Sequence, residues 1–283
     1  MELLPLLLNT VLLRPYVFAF FLIYLLGCSM HLGVKRAVLF IIAGYLIAWL
    51  SEYSSIHNGF PYGYYYYIEQ TKGREIWVFG VPFMDSMSYV FLAYASYSMA
   101  LLVISPILPK GVLYLLETRK IRSSLYARVL GALFFVYLDI IIDPVALQGH
   151  KWFLGQIYGY PGKGVYFGIP VSNFAGWLIV GFFMIYALQR IDGYLDRKET
   201  KDYVGYEYPW RYLIGPALFL GVLVFNLCVT FAIGDHHLGW TGIFIVLLPL
   251  FLVYSITRLK RSPQEHGEAL KAHLEDFPRV VIR

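Results

Sequence analysis

Long apolar runs separated by short polar stretches make up most of this chain. A helix that crosses a membrane needs about 20 apolar residues, within a range of roughly 17 to 25. Seven segments meet or approach that length, at about 11–30, 37–53, 81–104, 129–147, 171–190, 212–233 and 238–257. The pattern predicts an all-α, polytopic transmembrane bundle of about seven spans. It forms one domain over 1–257, with a short tail over 258–283. Between the spans, 113–128 is expected to lie along the membrane surface as an amphipathic helix. The stretch 192–207 is expected to be a solvated loop of mixed charge.

Composition points the same way. Of 283 residues, 59% are hydrophobic and 14% charged, whereas a soluble domain carries about 25% charged residues. That is too little charge to cover a water-facing surface. Basic residues fall unevenly. With the N-terminus outside, eighteen of the 23 lie in inside segments and five (Arg14, Lys72, Arg74, Lys151 and Lys163) lie outside. Inside segments are the ones that collect Lys and Arg, so the C-terminus is expected in the cytoplasm, across a prokaryotic cytoplasmic membrane. The net charge of +5 comes without a clustered basic motif, which argues against nucleic-acid binding. Cys28 and Cys228 both sit in apolar runs and read as packing residues. The first run has no basic stretch before it and no small-residue cleavage site after it, so it is expected to be a retained helix.

The polar residues that interrupt these runs carry the candidate chemistry. Phe79-Gly80-Val81-Pro82 aligns with Phe167-Gly168-Ile169-Pro170, and three residues past each proline stand Asp85 and Asn173. Upstream, an acid closes each preceding span: Glu52 in the first copy, Asp139 and Asp143 in the second. Residues 37–104 and 129–190 therefore read as parallel helix–loop–helix repeats, an arrangement also found in transporters. The repeat would gather Glu52, Asp85, Asp139, Asp143 and Asn173 at one depth, near the outer ends of four helices. Asp139 and Asp143, four residues apart, share one helix face, and Pro144 kinks or ends that helix.

An acid inside a span costs about 2.5–3.5 kcal/mol on insertion scales. Several carboxyls crowded together in a dry place favour at least one keeping its proton. A neutral carboxylic acid can protonate a weak base such as an alkene, while an ionised neighbour stabilises the cation or orients a water. Structural readings compete with this one. Glu52 and Asp143 also suit interfacial helix ends, Asp85 a first-turn acid favoured by the helix dipole, and Asn173 a cap or interhelical hydrogen bond. The tyrosine run 64–67 suits an interfacial belt first and a substrate wall second. His236-His237 reads as a turn, with no third residue spaced to make a metal site.

The chain resembles the integral-membrane carotenoid biosynthesis family that includes the carotenoid ψ-end hydratases. The likeness rests on Glu52 with Asn58-Gly-Phe-Pro-Tyr-Gly-Tyr64 and Tyr66; on Gly80-Val-Pro82; on Asp139-Ile-Ile-Ile-Asp143-Pro144; and on Gly168-Ile-Pro-Val-Ser-Asn173-Phe-Ala-Gly-Trp177. It departs from the family pattern after the Asp-Pro step, where paired tryptophans give way to Gly149-His-Lys-Trp152-Phe153. The resemblance implies cofactor-free, metal-free hydration of the C1–C2 double bond of an acyclic, lycopene-like carotenoid end. Asp143 is expected as proton donor, Asp139 or Glu52 as ionised stabiliser, and Asn173, Asp85 or a tyrosine as holder of the water. Tyr64, Tyr66, Trp152, Tyr166 and Trp177, with Asn173, are expected to contact substrate. Membrane lipid and other carotenoid-pathway enzymes are the expected neighbours. The rival readings are a membrane carotenoid or terpene cyclase that uses the same protonation, a transporter with intramembrane acids, and a non-catalytic scaffold.

Overall fold

The computed structural model describes residues 3–110, 112–198, 202, 204–260 and 266–278. Helices α1 (Leu3–Leu13) and α2 (Pro15–His31) meet at 90° across Arg14. Pro15 has no N–H to continue the ladder of α1. The span expected at 11–30 is therefore cut near its start, and residues 11–13 belong to α1. Next come α3 (Val34–Asn58), a loop with β1 (Tyr66–Tyr67), β2 (Trp77–Val78) and β3 (Val81–Pro82), and then α4 (Phe83–Ile104). A hairpin of β4 (Ile107–Lys110) and β5 (Val112–Leu115) and the short α5 (Arg119–Arg122) lead into α6 (Leu125–Ala146). A second loop holds β6 (Tyr158–Gly159). The chain continues through α7 (Val171–Arg197), α8 (Ile214–Ala232), α9 (His236–Leu259) and α10 (His266–Asp276). Among the described residues six helices are long and apolar enough to cross a membrane, or up to seven if the bent α1–α2 pair is one span. The protein is the all-α polytopic bundle that the apolar runs predict.

Two stretches depart from expectation. The predicted surface helix at 113–128 is instead strand β5, α5 and the start of α6. Residues 112–115 pair with 107–110 as a hairpin, just after Pro106 and Pro109 have broken any helix running on from α4, and Ile107 and Leu115 pack with Tyr212 in a small buried cluster. The predicted loop at 192–207 begins as helix, because α7 runs on to Arg197.

Helix α4 is the axis of the bundle. After Asp85 it carries no charge, and every residue from Tyr89 to Leu101 is buried. A helix that is apolar all round belongs in the middle of its neighbours, and α4 packs against α2, α3, α6, α7 and α8. In contrast, α9 presents Phe244, Leu247, Leu248 and Phe251 outward, as a lipid-facing helix does.

The two ends of the bundle handle charge differently. At one end Arg36, wholly buried, reaches Asp192 at 2.5 Å, Asp196 at 2.6 Å and Asp202 at 2.9 Å. Nearby, Glu117 pairs with Arg122 at 2.7 Å and meets His31 at 2.9 Å. Helix α10 docks on the same cluster, with His273 Nδ1 2.6 Å from the Glu117 carbonyl and Phe277 beneath the Arg122 guanidinium. At the opposite end lie the two loops. Val78 pairs with Val81, and Tyr166 with Ile169, each across a Phe-Gly turn. The φ angles are 49° and 84° at Phe79 and Gly80, and 48° and 90° at Phe167 and Gly168. Two central residues at positive φ define a type I′ turn. A phenylalanine there is unusual, and it occurs at both aligned positions. Below the first loop, Gly176 of α7 lets that loop settle. A Cβ on Gly176 would lie 2.5 Å from the Tyr62 ring and 2.8 Å from the Pro61 carbonyl oxygen.

Two outcomes follow for stability in detergent. Arg36→Met takes the buried cation from Asp192, which keeps only Arg122 at 3.9 Å, and from the half-buried Asp196 and Asp202; it should cost about 3 kcal/mol, read as a drop in thermal midpoint. Arg36→Lys should not restore it, since an ammonium cannot fork to three partners. Gly176→Ala should cost about 1–3 kcal/mol through overpacking, because the Pro61 backbone is in the way.

Candidate active site

Beneath the loops, the loop-side ends of α2, α3, α4, α6, α7 and α8 surround a cavity of about 120 Å³. Its wall is divided. Glu52, Asp85, Asp143, Asn173 and several tyrosines line one part, while Val17, Phe20, Phe91, Leu92, Ile142 and Val222 line the other.

The polar wall is built by hydrogen bonds between elements. Asn173, in the first turn of α7, donates from its single Nδ2 to Asp139 Oδ2 at 2.8 Å and to Asp143 Oδ2 at 2.7 Å. The i, i+4 spacing on α6 brings those two oxygens to one amide group. Asp143 also accepts from Tyr158 at 2.9 Å and Tyr160 at 3.2 Å. Asp139 lies a turn deeper, fully buried and off the cavity wall, and its Oδ1 has no hydrogen-bond partner. On α3, Glu52 accepts from Tyr67 at 2.9 Å and from the Ser86 hydroxyl of α4. Asp85 faces the cavity one residue earlier on α4, within electrostatic reach of Arg14. Arg14 is itself held by Glu75 at 2.7 Å and by the Leu154 carbonyl at 2.7 Å. Burial, and then the facing carboxyl groups, push the phenols of Tyr67, Tyr158 and Tyr160 above their ordinary range. They stay protonated and keep donating.

One short ladder sets the spacing of the acids. Strands β1 and β6 pair antiparallel, with Tyr67 opposite Tyr158. Tyr67 bonds Glu52 and Tyr158 bonds Asp143, so a cross-strand pair, with Cβ atoms ~5 Å apart, ties α3 to α6 through the loops. Alternation along the same segment explains a correction. Tyr65 and Tyr67 point inward, and so Tyr64 and Tyr66 point out, at 59% and 52% exposed; successive side chains on extended backbone face opposite ways. Tyr64 and Tyr66, expected against substrate, do not reach the cavity. Nor does Tyr166, which sits in the second turn with its ring on Phe167 and Phe174. Trp152 and Trp177 do line the wall. Trp177 stacks on Tyr89 at 4.6 Å, and Trp152 donates to the Val145 carbonyl at 3.0 Å.

The sequence does not single out Tyr62, Tyr158, Tyr160, the hydroxyl of Ser86 or the Arg14–Glu75 pair, and it offers Tyr65 and Tyr67 only as members of the run 64–67. A signal did exist for Arg14: it is an arginine followed by proline at the edge of an apolar run, and there a charge must find a partner.

Comparison with known protein families gives a match. The family described as carotenoid biosynthesis protein matches residues 6–251. No curated protein and no solved structure matches the chain. The family match runs from within α1 through most of α9 and includes all the carboxyl groups around the cavity, and so the chain belongs to the carotenoid biosynthesis protein family.

Proposed function

We propose that the protein hydrates the C1–C2 double bond at the acyclic end of a carotenoid, giving a tertiary alcohol. The observation that carries this reading is the convergence of Glu52, Asp85 and Asp143 on one half-apolar cavity, where their hydrogen-bond partners are hydroxyls and an amide. Such a wall can hold both a proton and a negative charge next to a greasy end group.

The partners divide the roles. An amide N–H donates only, whereas a hydroxyl both donates and accepts. Asp143 takes the Asn173 amide and two phenols, which suits a carboxylate. Glu52 bonds only hydroxyls, those of Tyr67 and Ser86, so it can carry a proton without losing a bond. We therefore assign Glu52 as the acid and Asp143 as the anion, the reverse of the sequence expectation. Glu52 gives its proton to C2. The π pair forms the new C–H bond and leaves a tertiary cation at C1. Asp143 stabilises that cation electrostatically, helped by the faces of Tyr65 and Trp177. Water adds to C1 and loses its extra proton to Asp143. Return of that proton to Glu52 through water completes the cycle. The sum is alkene plus water giving alcohol, with no change in oxidation state overall. Asp139 and Asn173 act as positioning residues behind Asp143.

The same reading places the cavity at the outer face of a prokaryotic cytoplasmic membrane, with the arginine-rich end in the cytoplasm, beside other enzymes of the pathway. The paired Phe-Gly turns support 37–104 and 129–190 as parallel repeats.

Expressed in cells that make lycopene, the chain should yield pigment heavier by one water. An isomer of unchanged mass would point to cyclisation, and unchanged pigment with folded protein in the membrane would overturn hydration. Glu52→Gln and Asp143→Asn should each lower conversion at least ~100-fold at normal protein levels. Tyr67→Phe and Tyr158→Phe should lower it about tenfold, the worth of one hydrogen bond of about 1.4 kcal/mol. Tyr64→Phe and Tyr66→Phe, whose rings face away, should leave it unaltered.

A further inference from the structure

The cavity is too small for the molecule it is proposed to act on. At about 120 Å³ it falls short of the roughly 150 Å³ cavity that takes up one benzene. It holds the branched tip of an isoprenoid chain and little more. The rest of any carotenoid must lie outside, so the wall must have an opening through which a chain can pass.

The contacts between α2 and α8 show where. At the arginine-rich end these helices touch closely, since a Cβ on Gly27 would lie 2.7 Å from Ile214. At the cavity end they meet through rings. Tyr16 of α2 stacks on Phe225 of α8 at 5.1 Å, and Phe20 meets Phe225 edge-on at 5.6 Å. Trp152 from the second loop closes the group, 5.9 Å from Tyr16 and 6.3 Å from Phe225. Tyr16, Phe20 and Trp152 line the cavity; Phe225 does not. All four are half-buried, so the group reaches the surface of the bundle, and Phe225 is the ring among them set back from the cavity wall. A phenylalanine needs only a side-chain rotation to move, and lipid accepts the displaced ring as readily as the protein does.

We propose that Phe225, with Tyr16 and Phe20, is a lateral door between α2 and α8, and that the enzyme recognises only the tip of its substrate, one end per visit, while the chain stays in the bilayer. The proposal rests on the hydration reading for the identity of the ligand. Its consequence is a substrate class: acyclic carotenoids of any length, whatever stands at the far end.

The test uses the full-length protein in lipid vesicles and two substrates. One is an acyclic carotenoid with both ends free; the other is the same compound with one end blocked by a bulky glycosyl group. Binding is read by induced circular dichroism in the visible band of the polyene, and conversion by mass. Both compounds should bind, and the free end of the blocked one should react with kcat/KM within about twofold per free end of the parent's. Phe225→Trp, which enlarges that ring, should raise KM several-fold for both compounds and leave kcat in place. Loss of binding by the blocked compound, or an unaltered KM in Phe225→Trp, would overturn the door. Binding of both compounds without gain of water would support the door and remove the hydration reading.

Discussion

A carboxyl group surrounded by protein and lipid needs either a cation or a proton, because bare charge in a medium of low dielectric is prohibitively costly. The two ends of this bundle meet that requirement in opposite ways. At one end the acids described face arginines: Asp192, Asp196 and Asp202 gather on Arg36, and Glu117 on Arg122. At the other end the arginine nearest the cavity is already bound to Glu75. Glu52 and Asp143 are left with hydroxyls and an amide. The first arrangement neutralises charge and fixes helices. The second holds its acids by hydrogen bonds from hydroxyls and an amide.

Much of this architecture is legible in the chain. Apolar length alone places the spans, and the i, i+4 step from Asp139 to Asp143 brings two carboxyls to one face. The alignment of Asp85 with Asn173 across the Phe-Gly-X-Pro segments picks out two residues that both stand at the cavity end. What stays hidden has definite physical reasons. Four tyrosines in a row carry no alternation of polarity, so the sequence cannot say which parity faces in, and Tyr64 and Tyr66 are expected where Tyr65 and Tyr67 stand. Strands of two residues, as in β1 and β6, are too short to show a period, and their pairing sets the spacing of Glu52 and Asp143. The Arg36 cluster joins residues 156 positions apart. A charged residue in a solvated loop and one in a buried ion pair read alike until the partner is known.

The loops therefore act as structural parts of the site. Tyr62 donates its backbone N–H to Ser55 and shares its hydroxyl with Ser51, which fastens the first loop to α3. Gly176 lets the same loop rest on α7, one turn below Asn173. The carboxyls are placed by helices, but several of their hydrogen-bond donors are phenols that the loops bring in.

The right-angled corner at Arg14 carries a geometric consequence. If α2 crosses the bilayer, α1 runs along its surface, and its leucines at positions 4, 8 and 12, all exposed, can sink among the acyl chains. Arg14 then marks the level of the headgroups, and the cavity it borders lies just beneath them. An oily tip can reach that depth from the hydrocarbon, and water can reach it from the aqueous side. A cavity set deeper would be dry, and one set higher would be out of reach of a molecule dissolved in lipid.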